Sequence, residues 1–378
     1  MIIHSKAIRA FVVASAVVGG ALAVSAQFRI PEQLPDDRRS DLLVKTRSIE
    51  QPQLSQYPVE LPAGNRLTML PVAGNVYMVA GPGTSNVAVQ VGDDGVVLVD
   101  AGAAGVSDWM MQAIRAVSRR EVNFIMMTGP NEDHFGGNGK LAGAPFGRPP
   151  NQGIPQLGGQ VINTTPQANP PAAGGRGGIN NVNTATVVAH EATLNRMSAP
   201  TGQAAAYPFE LWPTSTFFTP MKTLSWNGEA IELVNEGGAT TDGDVIVFFR
   251  RSDVVVTGDV IDTLGYPRID LKRGGTIAGV LEALNDVVEL TVPSFNQQGG
   301  TKVIPGHGRI LNEQDVVEYR DMMTIIHDRV KLAIDKNMTL AQLKAQRPTL
   351  DYDGLYSKPD WTGEMLIDTI WENLRAAR

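Results

Sequence analysis

The sequence predicts a layered α/β sandwich. Short β-rich runs separated by turn residues begin near residue 67, and strands there feed a helix and then another strand. A second set of strands with meander spacing begins near residue 222.

The chain opens with Lys6 and Arg9 before an apolar run, Ala10 to Val24, that closes on Val24-Ser25-Ala26. This is the pattern of a secretory signal cut after Ala26. The run is short for a membrane anchor and is broken at Gly19-Gly20. The expected location is therefore periplasmic or secreted, with no stable membrane association after cleavage. Residues 27–65, rich in Pro, Gln and charge, read as an extended leader.

Of the 378 residues, 43% are hydrophobic and 19% charged, as in ordinary globular proteins. Losing the signal removes two positive charges and no acids from a chain already at −7. Nucleic acid and anionic membranes are poor partners for such a surface; a small-molecule substrate is the expected partner. No cysteine is present, so a metal would have to be held by His, Asp and Glu. Only five histidines exist: His4, His134, His190, His307 and His327.

In chain order, strands are expected at Leu67 to Leu70, Val76 to Ala80, Asn86 to Val91 and Gly95 to Asp100. A helix from Gly105 to Arg119 follows, with Trp109, Ile114 and Val117 as core positions, and then a buried strand at 122–127. Residues 142–185 are dense in Gly, Pro, Asn, Gln and Ala and read as a low-complexity insertion. Order resumes with a strand, Thr186 to His190, and a helix, Glu191 to Met197, where His190 reads as structural. The meander comprises Lys222 to Ser225, Ala230 to Asn235, Val245 to Arg250 and Val254 to Thr257. Helices are expected at Gly275 to Leu290, Glu313 to Ile334, Leu340 to Ala345 and Gly363 to Ala376. His327 falls on a packing or solvated face of the second of these. Asp242 and Asp244 read as turn residues, and Tyr266-Pro-Arg268 and Arg309 as pocket-lining by position alone.

Chemistry concentrates at three glycine-flanked strand ends. The run Val122 to Met127 stops at Thr128-Gly129-Pro130 and delivers Asp133 and His134 side by side, with Gly136 and Gly137 allowing a close backbone approach. Val256-Thr-Gly-Asp259 and Ile304-Pro-Gly-His307 repeat the design. Two imidazoles and two carboxylates past strand ends suit Zn²⁺, Fe²⁺ or Mn²⁺.

At this point the chain resembles the metallo-β-lactamase superfamily, from about Leu67 to the C-terminus. Members carry H-x-H-x-D-H after a strand, then an A-H-T-type turn, then G-D, then P-G-H-G. The corresponding pieces here are Gly129-Pro-Asn131-Glu-Asp133-His134, Ala239-Thr240-Thr241, Gly258-Asp259 and Pro305-Gly306-His307-Gly308. The resemblance implies a four-layer αββα metallo-β-lactamase sandwich over residues 66–312, with residues 313–378 as a helical extension. It also implies that the second metal subsite is intact, in Asp133, His134, Asp259 and His307. The first-subsite positions hold Gly129, Asn131 and Thr240, so that subsite is expected to be lost.

The expected activity is then that of an exported, mononuclear hydrolase. One divalent ion, zinc ahead of iron or manganese, would activate water against an ester, amide or lactone-type bond. Asp133 or Asp259 would double as general base and Asn131 would donate to the developing oxyanion. The alternatives are an inactive binding or scaffold protein retaining at most one metal, and an iron-dependent redox relative.

Overall fold

The computed structural model describes residues 57–143, 185–199, 202–292 and 300–377. The signal, most of the leader and most of the low-complexity insertion lie outside those residues.

Seven strands form one sheet in chain order: β1 (Thr68–Ala73), β2 (Val76–Ala80), β3 (Val87–Gly92), β4 (Gly95–Val99), β5 (Val122–Met126), β6 (Thr186–His190) and β7 (Ser215–Phe217). Five more form the second sheet: β8 (Met221–Trp226), β9 (Glu229–Asn235), β10 (Val245–Phe249), β11 (Val254–Asp262) and β12 (Lys302–His307), with spatial order β12-β11-β10-β9-β8. The helices are α1 (Ser107–Val117), α2 (Glu132–Phe135), α3 (Asn138–Ala142), α4 (Glu191–Met197), α5 (Ile277–Thr291), α6 (Glu313–Asp335), α7 (Leu340–Ala345), α8 (Leu350–Tyr356) and α9 (Gly363–Ala376).

Strand alternation explains the layering. In β4, Val97 and Val99 face the second sheet, while Val96 and Leu98 face α1 on the other side. In β10, Val245, Val247 and Phe249 join the inter-sheet core, and Ile246 and Phe248 face α5 and α6. Both strands are therefore apolar throughout, as burial on two faces requires. Three buried clusters result: helix on sheet, sheet on sheet, and sheet on helix. That is the four-layer αββα arrangement the sequence predicts. Each fully buried Val, Leu or Phe contributes roughly 1.5–3 kcal/mol, so the three interfaces dominate stability.

Topology sets the position of the site. β4, β5 and β6 run parallel, as do β11 and β12, so their C-terminal ends collect along common edges. The two edges are joined where Asn86 donates its N–H to the Gly306 carbonyl at 2.8 Å and its side chain to the carbonyls of Pro305 at 2.9 Å and Gly308 at 3.1 Å.

Several details differ from the sequence reading. The buried face of α1 is Met110, Ala113 and Ile114, whereas Trp109 and Val117 are only half-buried. Trp109 lies at the rim because Arg66 stacks over its ring and Asn65 bonds its carbonyl. β11 continues to Asp262, so Asp259 lies within the strand rather than beyond it. The short β7 and α8 escape the pattern, since α8 exposes Leu350 and Leu355 and contains Gly354.

Glu236, just past β9, is buried against Asp286 on α5, and burial together with Asp286 and Glu282 pushes its carboxyl up to about 8. A carboxyl raised in the folded state adds stability below its unfolded value near 4.5, and that stability is lost as pH climbs toward 8. Glu236→Gln should therefore leave the melting temperature at pH 5 nearly unchanged and raise it at pH 9, by on the order of 3 kcal/mol of stability. Equal melting curves for both proteins at pH 9 would contradict this.

Candidate metal centre

The centre is built outward from Asp100, the residue after β4. It adopts φ 65°, in the left-handed region, and is buried. A buried carboxylate must find donors. Thr128, just past β5, supplies its backbone N–H to Oδ1 at 2.8 Å and its hydroxyl to Oδ2 at 2.7 Å, and His134 Nδ1 stands 2.7 Å from the same Oδ2. His134 sits on the single turn of α2, whose carbonyl accepts from the Ala101 N–H at 2.7 Å. Gly136 and Gly137 permit this docking: a Cβ at either would meet backbone of residues 101–104 within 2.6 Å.

The second sheet delivers the other half. Register with β12 shifts around Gly258, which has φ 52° and passes so close to Thr128 that a Cβ there would reach its hydroxyl at 2.5 Å. Glycine at 258 thus aims Asp259 at the first sheet. Asp259 Oδ1 lies 3.0 Å from His134 Nε2 and 3.6 Å from His307 Nε2, and His307 Nε2 lies 3.1 Å from Asp133 Oδ2. The Asp133 carbonyl is pinned in turn by Ser85, whose hydroxyl donates at 2.9 Å.

Charge and burial oppose each other here. Burial alone would depress His134, but Asp259 and Asp100 outweigh it and hold the imidazole well above its ordinary value. Burial would likewise raise Asp259 and Asp133, yet His134 and His307 bring both carboxyls below the usual range, with the Asn131 amide also acting on Asp259. His307 is raised against its burial, chiefly by the Asp133 hydrogen bond and the Asp259 charge. Carboxylates that hold protons on two imidazoles are equally placed to hold a divalent ion, which would displace those protons.

The donor set fits such an ion. Bonds of about 2.0–2.1 Å in a tetrahedron put neighbouring donors roughly 3.3 Å apart. Three contacts among these side chains, at 3.0, 3.1 and 3.6 Å, lie near that edge length; among the described residues the set whose ligand atoms all lie within 4.8 Å of one another is Asp133, His134 and His307, with Asp259 beside both imidazoles. Asp133, Asp259 and His307 line a cavity of about 1110 Å³, while His134 is sealed behind them.

Residues 129, 131 and 240 are engaged otherwise. A Cβ on Gly129 would face Asp244 Oδ1 at 3.3 Å, and the Thr240 hydroxyl already donates to Asp244 Oδ2 at 2.6 Å. The Asn131 amide N–H donates to Asp259 Oδ2, and its oxygen accepts from Arg273 Nη2 at 2.8 Å. Asn131 thus braces Asp259, and that N–H is not open to an oxyanion.

Comparison with known proteins agrees with the fold. A family model described as the metallo-beta-lactamase superfamily matches residues 80–149. Over that stretch the chain is similar to the metallo-β-lactamase superfamily. Among solved structures, the stereoselective inverting sec-alkylsulfatase Pisa1 from Pseudomonas sp. is similar at 14% identity and TM-score 0.54, over 80% of this chain and 49% of that one. A double mutant of the sec-alkyl sulfatase PisA1 gives 13% identity and TM-score 0.55, over 81% and 50%. The chain therefore spans about half the length of these alkylsulfatases. A metallo-beta-lactamase from Pontibacter korlensis matches at 16% identity and TM-score 0.46, over 68% of this chain and 99% of that one. No curated protein sequence matches.

Within this superfamily fold, three residues of the centre went unnoticed in the sequence. Asp100 was visible only as the last letter of an apolar strand, the same signal that marked Asp259. Asn86 and Arg273 gave none, since their partners lie more than a hundred residues away. The remaining histidines stand apart: His190 accepts the Ala192 N–H at 3.4 Å at the start of α4, and His327 pairs with Asp328 on α6. Asp244 is the hub of the 240–244 turn, bound by Thr240 and Thr241, and Asp242 pairs with Arg196. Tyr266 and Arg268 line the cavity, but Arg309 turns to Asp315 at 2.7 Å.

Asp100→Asn keeps the shape and tolerates φ 65° but places an amide among donors. It should weaken zinc binding by about 10–100-fold, read by competition with a chromogenic chelator. Unchanged affinity would show that Asp100 does not orient His134.

Proposed function

We propose that the protein is an exported hydrolase that holds one divalent ion, zinc first, between Asp133, His134, Asp259 and His307. The observation that carries this is the approach of Asp133, His134 and His307, whose ligand atoms lie within 4.8 Å of one another, with Asp259 at 3.0 Å from His134 and 3.6 Å from His307, beside a cavity of about 1110 Å³. When bound, such an ion would polarise a substrate oxygen and acidify water in the cavity.

The chain's own groups then have distinct tasks. His134 is immobilised between Asp100 and Asp259 and fixes the tautomer at the ligand nitrogen, with Asp100 on Nδ1. Asp133 is the most exposed of the four, with its side chain 41% accessible, and only one of its oxygens is engaged by His307. That leaves Asp133 placed to take a proton from water and return it to the leaving group of an ester, amide or lactone-type substrate. Asn131 holds Asp259 in place. The neighbouring positions 129 and 240 present no donor to a second ion, which supports a single-ion site.

Metal analysis of the purified protein should give about one equivalent of zinc, and His307→Ala should lower affinity by at least roughly a hundredfold. A panel of carboxylic esters, lactones, amides, β-lactams and sulfate esters should reveal turnover that chelation abolishes and zinc restores. Two equivalents, or turnover indifferent to chelator, would contradict the proposal.

A further inference from the structure

The stretches around residues 129–131 and 240 lack a ligand set, yet a cation joins them. Arg273 closes the single 3-10 turn Leu271–Arg273, which is tied to the 240 stretch: the Asp270 N–H donates to the Thr240 carbonyl and the Asp242 N–H to the Arg273 carbonyl, both at 2.9 Å. From that base the guanidinium reaches the opposite loop. Nη1 donates to the Pro130 carbonyl at 2.9 Å and Nη2 to Asn131 Oδ1 at 2.8 Å, while Nε pairs with Asp270 at 2.7 Å.

Three of the five guanidinium N–H groups are thus engaged, and the other two have no partner among the described residues. Arg273 also lines the cavity, with its side chain 31% accessible. Its planar fork suits contacts to two loops at once. Through Asn131, which donates onward to Asp259, the clasp reaches the proposed ion site itself.

We propose that Arg273 is the chain's built-in replacement for the first metal ion: a permanent cation that clasps the two loops and keeps a second divalent ion out. A divalent ion seated against residue 131 would stand within a few ångströms of the guanidinium, and like charges at that range repel strongly. The proposal rests on the single-ion reading above, but it makes a separate claim about which residue enforces it.

Bound zinc is counted in four folded proteins: the natural chain, Arg273→Met, the triple change Gly129→His with Asn131→His and Thr240→His, and that triple combined with Arg273→Met. The triple should bind no more zinc than the natural chain, and adding Arg273→Met should admit one further equivalent. Equal counts in the triple and the quadruple variant would overturn the proposal, as would a second ion in the triple alone. A natural chain with no zinc would sink the single-ion reading, while the difference between these two variants still decides the role of Arg273.

If the histidine variants do not fold, zinc affinity of the single variants decides. Removing a neighbouring positive charge in Arg273→Met should tighten binding by roughly tenfold at low salt, and Arg273→Lys should leave it unchanged. A purely structural arginine would give weaker or equal binding in Arg273→Met, and either result would overturn the proposal.

Discussion

His134 is sealed from solvent with a carboxylate against each ring nitrogen, Asp100 from the end of β4 and Asp259 from β11. An isolated charge at such depth costs several kcal/mol, so neither partner can be removed without leaving the others exposed to that penalty. This three-group line is what ties the seven-stranded sheet to the five-stranded sheet at the site. Its neighbours follow from it: Thr128 exists to serve Asp100, and Gly258 allows β11 past Thr128 so that Asp259 can reach the imidazole. His307 and Asp133 then complete the cluster proposed to hold the ion.

The adjoining region obeys the opposite logic. Asp244 is buried, and burial raises its carboxyl to about 6 even though Thr240 and Thr241 bond it through hydroxyls and backbone. Those threonines are consumed by the carboxylate, at distances of 2.6 to 3.0 Å. Asn131 is consumed by Asp259 and Arg273. The side-chain oxygens of Thr240, Thr241 and Asn131 that border that space are all engaged within the protein, as a packed turn needs. The asymmetry between the two regions is chemical rather than a matter of missing residues alone.

The layers were legible because burial on two faces forces continuous apolar strands, as in Val96 to Val99 and Val245 to Phe249. The helix expected from Glu313 is there as well, started by a capping box of Asn312 and Asp315. The four converging side chains stood out because glycine and proline mark strand exits. The bracing around them did not, since Asn86, Arg273 and Asn131 act across sequence separations of 128 to 222 residues where no period or spacing connects them. Likewise, the extension of β11 through Asp259 depends on the bulge at Gly258, a contact with Thr128 that only the folded chain reveals.

Two imidazoles and nearby carboxylates are proposed to surround a single ion. X-ray absorption at the zinc edge of the loaded protein reads this directly. The spectrum should show a shell at about 2.0–2.1 Å with two imidazole rings and oxygen ligands, and no metal–metal vector at about 3.5–4 Å. Three or more imidazoles, or a clear metal–metal vector, would contradict it.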